Sequence, residues 1–185
     1  MGILGAGAAA KRCARTGRHH LKKGNPVMQT SRATFLLLAT SLAALPAQAL
    51  EVRQSVEVAA PPEEVWQAIS DFCAIADWHP VIGRCALSDQ DGVAMRTLTT
   101  VDGGIVVERR VQYSDEGMSY TYEIVESPLP VADYVSTLAV MDSSGGSMIT
   151  WSGEFAAEGA PDDQAIEVIS GIYQAGLEAL KERLR

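Results

Sequence analysis

The residues best suited to chemistry lie in the short segment 71–80, which reads DFCAIADWHP. Here Trp78 stands beside His79, the only histidine beyond the first 20 residues. An imidazole titrates near neutral pH, so His79 could act as a general acid or base toward a bound molecule. A lone histidine can equally be structural, and no Ser-His-Asp order, Cys-His nucleophile or phosphate-binding loop accompanies it.

Arg109 is the second candidate for chemistry, because the alternation of its predicted strand places it on the more apolar face. That face, expected to point inward, holds Ile105, Val107, Arg109, Val111 and Tyr113. The opposite face, expected to meet water, holds Glu108, Arg110 and Gln112. An inward guanidinium needs an anion or acceptors, so Arg109 could bind a ligand carboxylate or an enolate. An internal salt bridge, or a strand shifted by a bulge, would explain the same pattern.

Aromatic residues on two further predicted strands complete the candidate site. Tyr120 and Tyr122 share one face of their strand, and Trp151 lies on the apolar face of the last strand. Tyrosine and tryptophan give a pocket apolar walls with a polar tip, although core packing explains each of them singly. We therefore expect one pocket to bring together Trp78, His79, Arg109, Tyr120, Tyr122 and Trp151.

Two cysteines follow residue 49, Cys73 and Cys85, and they form an even pair. In an oxidising compartment such a pair is expected to form a disulfide. Redox catalysis is a weaker alternative, because the two residues lack the CxxC spacing. No metal or other cofactor is expected, since one histidine with Asp71 and Asp77 provides too few ligands for zinc.

The start of the chain carries the features of an export signal. Residues 28–49 combine Arg32, an apolar run over 33–45 and a small-x-small cleavage site that ends at Ala49. The apolar run is too short to span a membrane, so no stable membrane anchor is expected.

Residues 1–27 are basic and precede a second methionine. They are either a long n-region or the result of a start codon assigned too early, and we favour the second. Cleavage near Ala49 would leave one domain over residues 50–185, expected in the periplasm or secreted.

The charge of this predicted domain limits its partners. It holds eight of the 15 Lys and Arg residues and all 23 Asp and Glu residues, a net charge of −15. Such a charge excludes a nucleic-acid role and disfavours anionic membrane surfaces. It leaves small molecules or a basic protein partner.

Alternating apolar residues predict seven strands, and helical periodicity predicts two short helices after the first strand and a long helix at the end. The strands are expected at 51–58, 81–88, 93–100, 105–114, 118–126, 132–141 and 147–156. The helices are expected at 61–70, within 71–80 and at 161–185. Turn residues such as Asp91-Gly92 connect successive strands as hairpins, so the sheet should be antiparallel.

The long helix has an apolar arc of about half its circumference, which is wider than contact with a sheet requires. The surplus, at Val168, Ile172 or Ala175, is expected to line a cavity or meet the short helices. Gly171 and Gly176 each weaken the helix by about 1 kcal/mol relative to alanine. They indicate either close packing against a strand or a bend that makes the helix a lid.

This order of elements, with several sequence stretches, resembles the START / Bet v 1-like (SRPBCC) superfamily, specifically its bacterial polyketide cyclase/dehydrase and lipid-transport branch. The stretches are PPEEVWQAISDF (61–72), ADWHP (76–80), VESPLPVADY (125–134) and TWSGEF (150–155). The resemblance implies an α+β helix-grip fold, in which a curved seven-stranded antiparallel sheet holds the last helix with a cavity between them. It implies function only weakly, because carriers, receptors and cyclases share the fold.

The leading hypothesis is an exported protein that binds a small hydrophobic or amphipathic ligand without obligatory catalysis. A cyclase- or dehydratase-like enzyme that uses His79 and Arg109 is the first alternative. The second is an accessory protein that docks on a basic periplasmic partner, which the negative charge of the domain would steer.

Overall fold

The structure, a computed structural model, describes residues 49–185. The predicted leader at 1–27, and the predicted signal peptide at 28–49 apart from Ala49, lie outside the described residues. The elements in chain order are β1 (Leu50–Val58), α1 (Pro62–Ile69), α2 (Ile75–Trp78), β2 (Ile82–Gln90), β3 (Val93–Thr100), β4 (Ile105–Ser114), β5 (Ser119–Glu126), β6 (Val131–Ser143), β7 (Gly146–Ala157) and α3 (Asp162–Arg183). Among these helices, none is long and apolar enough to cross a membrane.

The seven strands form one antiparallel sheet in the order β1-β7-β6-β5-β4-β3-β2. Because β1 and β2 are opposite edges, the chain crosses from one edge to the other through α1 and α2. The predicted α+β helix-grip fold is confirmed, with its two short helices and its long C-terminal helix.

Local sequence explains where α3 begins and which side it buries. Pro161 precedes the helix in an extended conformation, two aspartates occupy the first turn, and Lys181 and Arg183 lie in the last turn. These charges complement the helix dipole at both ends. The helix packs mainly across β1 and β7. Its buried stripe consists of Ala165, Ile169, Tyr173, Gly176, Leu177 and Leu180.

The two glycines of α3 have different surroundings. A Cβ atom at Gly176 would lie 2.6 Å from Cδ2 of His79 and 2.8 Å from Cζ3 of Trp151. No atom lies within 4 Å of a Cβ atom built at Gly171. Close packing therefore accounts for Gly176, because any larger residue would push the helix away from β7. Nothing in the structure explains Gly171.

Strand β4 presents the face opposite to the predicted one, so the expected inward position of Arg109 is wrong. Arg109 lies on the outer face of the sheet, with 47% of its side chain exposed and an ion pair to Glu123. Glu108, expected to face water, is buried, while Ile105 and Val111 are exposed.

Cross-strand pairing explains this reversal. Glu108 lies directly opposite Arg96 of β3, and the two buried side chains form an ion pair. A neutralised pair can face the core. It does so beside the buried Val106, while Ile105 and Val111 lie on the outer face. The strand also carries irregularities after Val107 and after Arg110 relative to β5. The second one returns Tyr113 to the inner side, where its ring centroid lies 5.7 Å from that of Trp66 on α1.

Replacing Gly176 by alanine should destabilise the protein by about 1–3 kcal/mol, because the added methyl group overpacks the contact with His79 and Trp151. The matched control is Gly171→Ala, which should stabilise the same helix by about 0.5–1 kcal/mol through helix propensity alone. Urea unfolding of both variants measures the two changes. Similar effects of the two substitutions would contradict the close-packing account.

Candidate functional site

An interior cavity of about 70 Å³ lies between the sheet, the turn after α2 and helix α3. Its polar side chains are His79, Thr100, Glu108, Tyr122 and Tyr134. Its apolar lining consists of Ile75, Val81, Ile82, Leu98, Val106, Ile124, Leu129, Trp151, Ile169 and Ile172. The space is therefore mostly apolar, with a few polar groups, which is the composition of small-molecule sites.

The structure brings together only part of the predicted site. His79, Tyr122 and Trp151 line the cavity. Trp78 and Tyr120 are buried behind these residues and do not line the cavity. The Trp78 ring packs edge-on against Trp151, with ring centroids 5.8 Å apart. The Tyr120 ring packs against Phe72, also with centroids 5.8 Å apart. Arg109 lies on the other side of the sheet and has no access to the cavity.

Helix α3 contributes to the cavity as expected, through a narrower set of residues. Of the three positions proposed for its surplus surface, Ile172 lines the cavity, and Val168 and Ala175 do not. Ile169, a member of the buried stripe of α3, lines it as well. The helix therefore forms one wall of the cavity with a single turn.

His79 is held with both ring nitrogens engaged. Its Nε2 lies 3.0 Å from the carbonyl oxygen of Ile172, and its Nδ1 accepts the N–H of Val81 at 3.3 Å. The neutral tautomer with a proton on Nε2 satisfies both contacts. Burial lowers the pKa of His79; the bond to Ile172 opposes this shift and the nearby charge of Arg96 adds to it. His79 thus ties the turn after α2 to helix α3.

On the opposite side of the cavity, a chain of hydroxyl groups connects the lining residues Trp151, Tyr122 and Tyr134 with Ser136 and Tyr173 behind them. The indole N–H of Trp151 points to both the Tyr122 hydroxyl and the Ser136 hydroxyl, each at 3.0 Å. Ser136 also lies 2.9 Å from the hydroxyl of Tyr173, which in turn lies 2.6 Å from that of Tyr134. Burial raises the pKa of Tyr173 to about 12, so the phenol stays protonated. Because Tyr122 Oη accepts from Trp151, its own proton can turn toward a ligand oxygen.

The interior also contains a buried ion pair, between Arg96 and Glu108, that strand alternation did not predict. Arg96 donates to the Glu108 carboxylate and, from Nη1, to the carbonyl oxygen of Phe72 at 2.5 Å. Burial raises the pKa of Glu108 and the Arg96 charge opposes this shift. A buried cation needs a counter-charge, so the carboxylate stays ionised near neutral pH. Counting outward from Thr100 and Gly104, which flank the turn, places residues 96 and 108 opposite each other.

Cys73 and Cys85 are joined by a disulfide, with their Cα atoms 5.5 Å apart. The bond links the segment between α1 and α2 to strand β2. Within residues 49–185, no three His, Cys, Asp or Glu side chains come together as a metal site requires.

The neutral state of His79 predicts how stability depends on pH. In the unfolded chain this imidazole takes up a proton below about pH 6.5, whereas burial lowers its pKa in the folded protein, which therefore binds the proton less readily. Stability should therefore fall as pH decreases from about 6.5 to 5, by up to about 1.4 kcal/mol per pH unit. His79→Gln, which keeps polar groups without titrating, should show a shallower decrease in urea unfolding. The same slope in both proteins would contradict this account of His79.

Comparisons with known proteins agree with this architecture. Among solved structures, protein XoxI from Bacillus cereus is 35% identical, with 72% of this chain and 94% of that chain covered and a TM-score of 0.69. An uncharacterised protein from Bacillus thuringiensis is 34% identical over 73% of this chain and 98% of that one, with a TM-score of 0.68.

A more distant structure shows the fold alone. The Zhui aromatase/cyclase from Streptomyces sp. R1128 is 18% identical over 74% of this chain and 94% of that one, with a TM-score of 0.60. No curated protein matches the chain. A profile of the family described as "Polyketide cyclase / dehydrase and lipid transport" matches residues 49–185. This match covers more than half of the sequence, and the chain belongs to the polyketide cyclase / dehydrase and lipid transport family of Bet v 1-like proteins.

Proposed function

We propose that this protein binds a small, uncharged hydrophobic molecule in the cavity between sheet and helix, without obligatory catalysis. The observation that carries the proposal is the composition of the cavity. Its walls are mostly apolar, and Arg96, the one buried Lys or Arg within residues 49–185, already pairs with Glu108. A neutral ligand with one oxygen could accept a hydrogen bond from Tyr122, which would replace the hydrogen bond to water that the oxygen gives up on burial.

The position of Arg109 changes the class of ligand that we expect. On the outer face it cannot neutralise a ligand carboxylate inside the cavity. The interior cation, Arg96, is neutralised by Glu108. Within residues 49–185 its Nη2 has no hydrogen-bond partner, but Arg96 does not line the cavity. A charged ligand head would thus lie unpaired in an apolar space, which is costly. An uncharged ligand fits these surroundings better than the carboxylate or enolate that an inward Arg109 could have bound.

The same geometry weakens the enzyme alternative. A cyclase- or dehydratase-like reaction with His79 and Arg109 requires both side chains to reach one substrate. They lie on opposite faces of the sheet, and both nitrogens of His79 are engaged with the main chain. Binding is the function that these contacts favour.

The cavity must enlarge to hold most ligands. Its volume is about 70 Å³, whereas typical small-molecule sites have about 300–1,000 Å³. The sheet offers a place for this expansion, because β5 pairs with β6 only over Ser119–Glu123, and the ends of the two strands diverge beyond. An outer groove of about 570 Å³ lies in the gap.

Three residues line both the outer groove and the interior cavity: Ile124, Leu129 and Tyr134. Leu129 lies between Pro128 and Pro130 in the turn from β5 to β6 and is partly exposed. Unlike Ile124 and Tyr134, Leu129 lies outside the strands, so it can move without breaking the hydrogen bonds of the sheet. We propose that its displacement joins the groove to the cavity.

Filling the cavity tests the binding site. Ile172→Phe should weaken binding of 1-naphthol, a neutral aromatic probe with one hydroxyl, by at least about 10-fold, since the larger ring occupies the ligand space. Val168→Phe, one turn earlier on the same helix and outside the lining, is the matched control. Binding is followed by the NMR shift of the Trp151 indole N–H. Equal affinities in the two variants would contradict the proposed site.

Shortening Leu129 tests the route. Leu129→Ala should raise the association rate of 1-naphthol by about 10-fold or more, because a smaller side chain blocks the passage less. Val125→Ala, which changes the outer groove alone, should leave the rate unchanged. Stopped-flow tryptophan fluorescence measures both. A rate that is unaffected by Leu129→Ala would place the passage elsewhere.

A docking role is the second candidate, favoured by the charges of the same outer groove. Glu126, Asp133 and Glu158 line it and form no ion pair within residues 49–185. A basic protein partner would complement them. Failure of every neutral probe to bind, together with salt-dependent binding of a basic protein, would favour this candidate over the first.

Export to the periplasm or beyond completes the proposal. It rests on the small-x-small site that ends at Ala49 and on the disulfide between Cys73 and Cys85, a bond typical of oxidising compartments.

A further inference from the structure

We infer that Arg110 forms a second binding site, outside the interior cavity, for a small carboxylate with an apolar body. The site is a surface groove of about 520 Å³ between the α1–α2 segment and strands β2 to β4. This inference is independent of the proposed function, because the groove and the interior cavity share no lining residue.

Two aromatic rings hold the Arg110 guanidinium in place. Its Cζ atom lies 4.7 Å from the ring centroid of Tyr113 and 5.4 Å from that of Phe72. The irregularity of β4 after Arg110 makes this possible, since it turns Tyr113 to the same face of the strand. Stacking on aromatic faces leaves the N–H groups at the edge of a guanidinium free to bind a ligand.

Phe72 is itself fixed from two sides. Its carbonyl oxygen accepts a hydrogen bond from the buried Arg96, and the next residue, Cys73, is tied to Cys85 on β2 by the disulfide. The wall of the groove that positions Arg110 is therefore rigid. A preorganised site loses little conformational entropy when a ligand binds.

Arg110 is distinguished from its neighbours by having no partner. Arg96 pairs with Glu108 and Arg109 pairs with Glu123, whereas within residues 49–185 Arg110 forms neither an ion pair nor a hydrogen bond. It stays without a carboxylate in a domain of net charge −15. A guanidinium with free N–H groups binds a carboxylate in a bidentate manner.

The other walls of the groove define the rest of the ligand. Phe72, Leu87 and Ala94 offer apolar contacts beside the guanidinium. Asp71 and Asp89 also line the groove, and one oxygen of each already accepts a main-chain N–H at 2.8 Å. Their negative charge opposes any anion, and multiply charged ones most, so a ligand carboxylate has to pair directly with Arg110. The groove thus suits a single carboxylate on a small apolar or aromatic body.

A stack of side chains separates this groove from the cavity. The Arg96 Cζ atom lies 4.1 Å from the ring centroid of Phe72, which lines the groove, and 4.9 Å from that of Tyr122, which lines the cavity. The space between the two sites is therefore filled, and one small ligand cannot occupy both.

Titration of the full-length protein with benzoate, followed by amide NMR, tests the inference. We expect saturable shifts at Phe72, Ser88 and Arg110, with no shift of the Trp151 indole N–H. Arg110→Gln should weaken benzoate binding by at least about 10-fold, the usual effect of removing a charged hydrogen bond. Arg109→Gln, one residue away on the opposite face, should change the affinity by less than about twofold.

Three further measurements separate a specific carboxylate site from a general effect of charge or misfolding. Arg110→Lys retains the charge without the bidentate geometry and should bind benzoate with intermediate affinity, and thermal unfolding establishes that each variant is folded. Benzamide, the neutral analogue, should bind more weakly than benzoate by about 10-fold or more. Equal binding of benzoate and benzamide, equal effects of the two glutamine substitutions, or no saturable shift at Arg110 would overturn the inference.

Discussion

Stacking of Tyr173 on Trp151 joins helix α3 to the sheet, and the position of the cavity follows from this contact. The two rings are nearly parallel, with centroids 4.6 Å apart, and the Tyr173 hydroxyl reaches Tyr134 and Ser136 on β6. Gly153 leaves room for that hydroxyl, because a Cβ atom there would overlap it. The contact between helix and sheet is thus both aromatic and hydrogen-bonded, and such a contact fixes the position of the helix more narrowly than apolar packing alone. Two more side chains, Gln54 and His79, bond to helix carbonyl groups from either side and hold the cavity wall in place.

The buried pair of Arg96 and Glu108 determines which ligand-sized spaces the concave face of the sheet contains. Replacing such pairs by apolar residues is often neutral or stabilising, so stability alone does not explain its presence. In this fold the pair divides the concave face into two spaces with different chemistry. On one side lies an apolar cavity without a free charge, and on the other a groove in which Arg110 has no partner. From this division we propose a neutral ligand in the cavity and a carboxylate in the groove.

Much of the fold could be predicted from the sequence, because alternation and turn residues are local signals. The seven strands and the long helix were predicted to within a few residues, and the apolar surplus of α3 indicated a cavity wall that includes Ile172. The face of β4 was predicted wrongly, since apolar alternation assumes that the core is apolar. Here the inward residue is a glutamate, and only its cross-strand partner Arg96 makes that position favourable. The distinction between Arg109 and Arg110 depends on this long-range contact and on a strand irregularity, neither of which has a local signature.

Native mass spectrometry of the protein isolated from its own source tests the central claim, that the cavity holds an uncharged hydrophobic molecule. We expect a species heavier than the disulfide-bonded polypeptide, whose additional mass leaves as a neutral molecule on collisional activation. The same additional mass should be absent from Ile172→Phe and present in Arg109→Gln. A ligand that leaves as an anion, or whose retention depends on Arg109, would contradict the account.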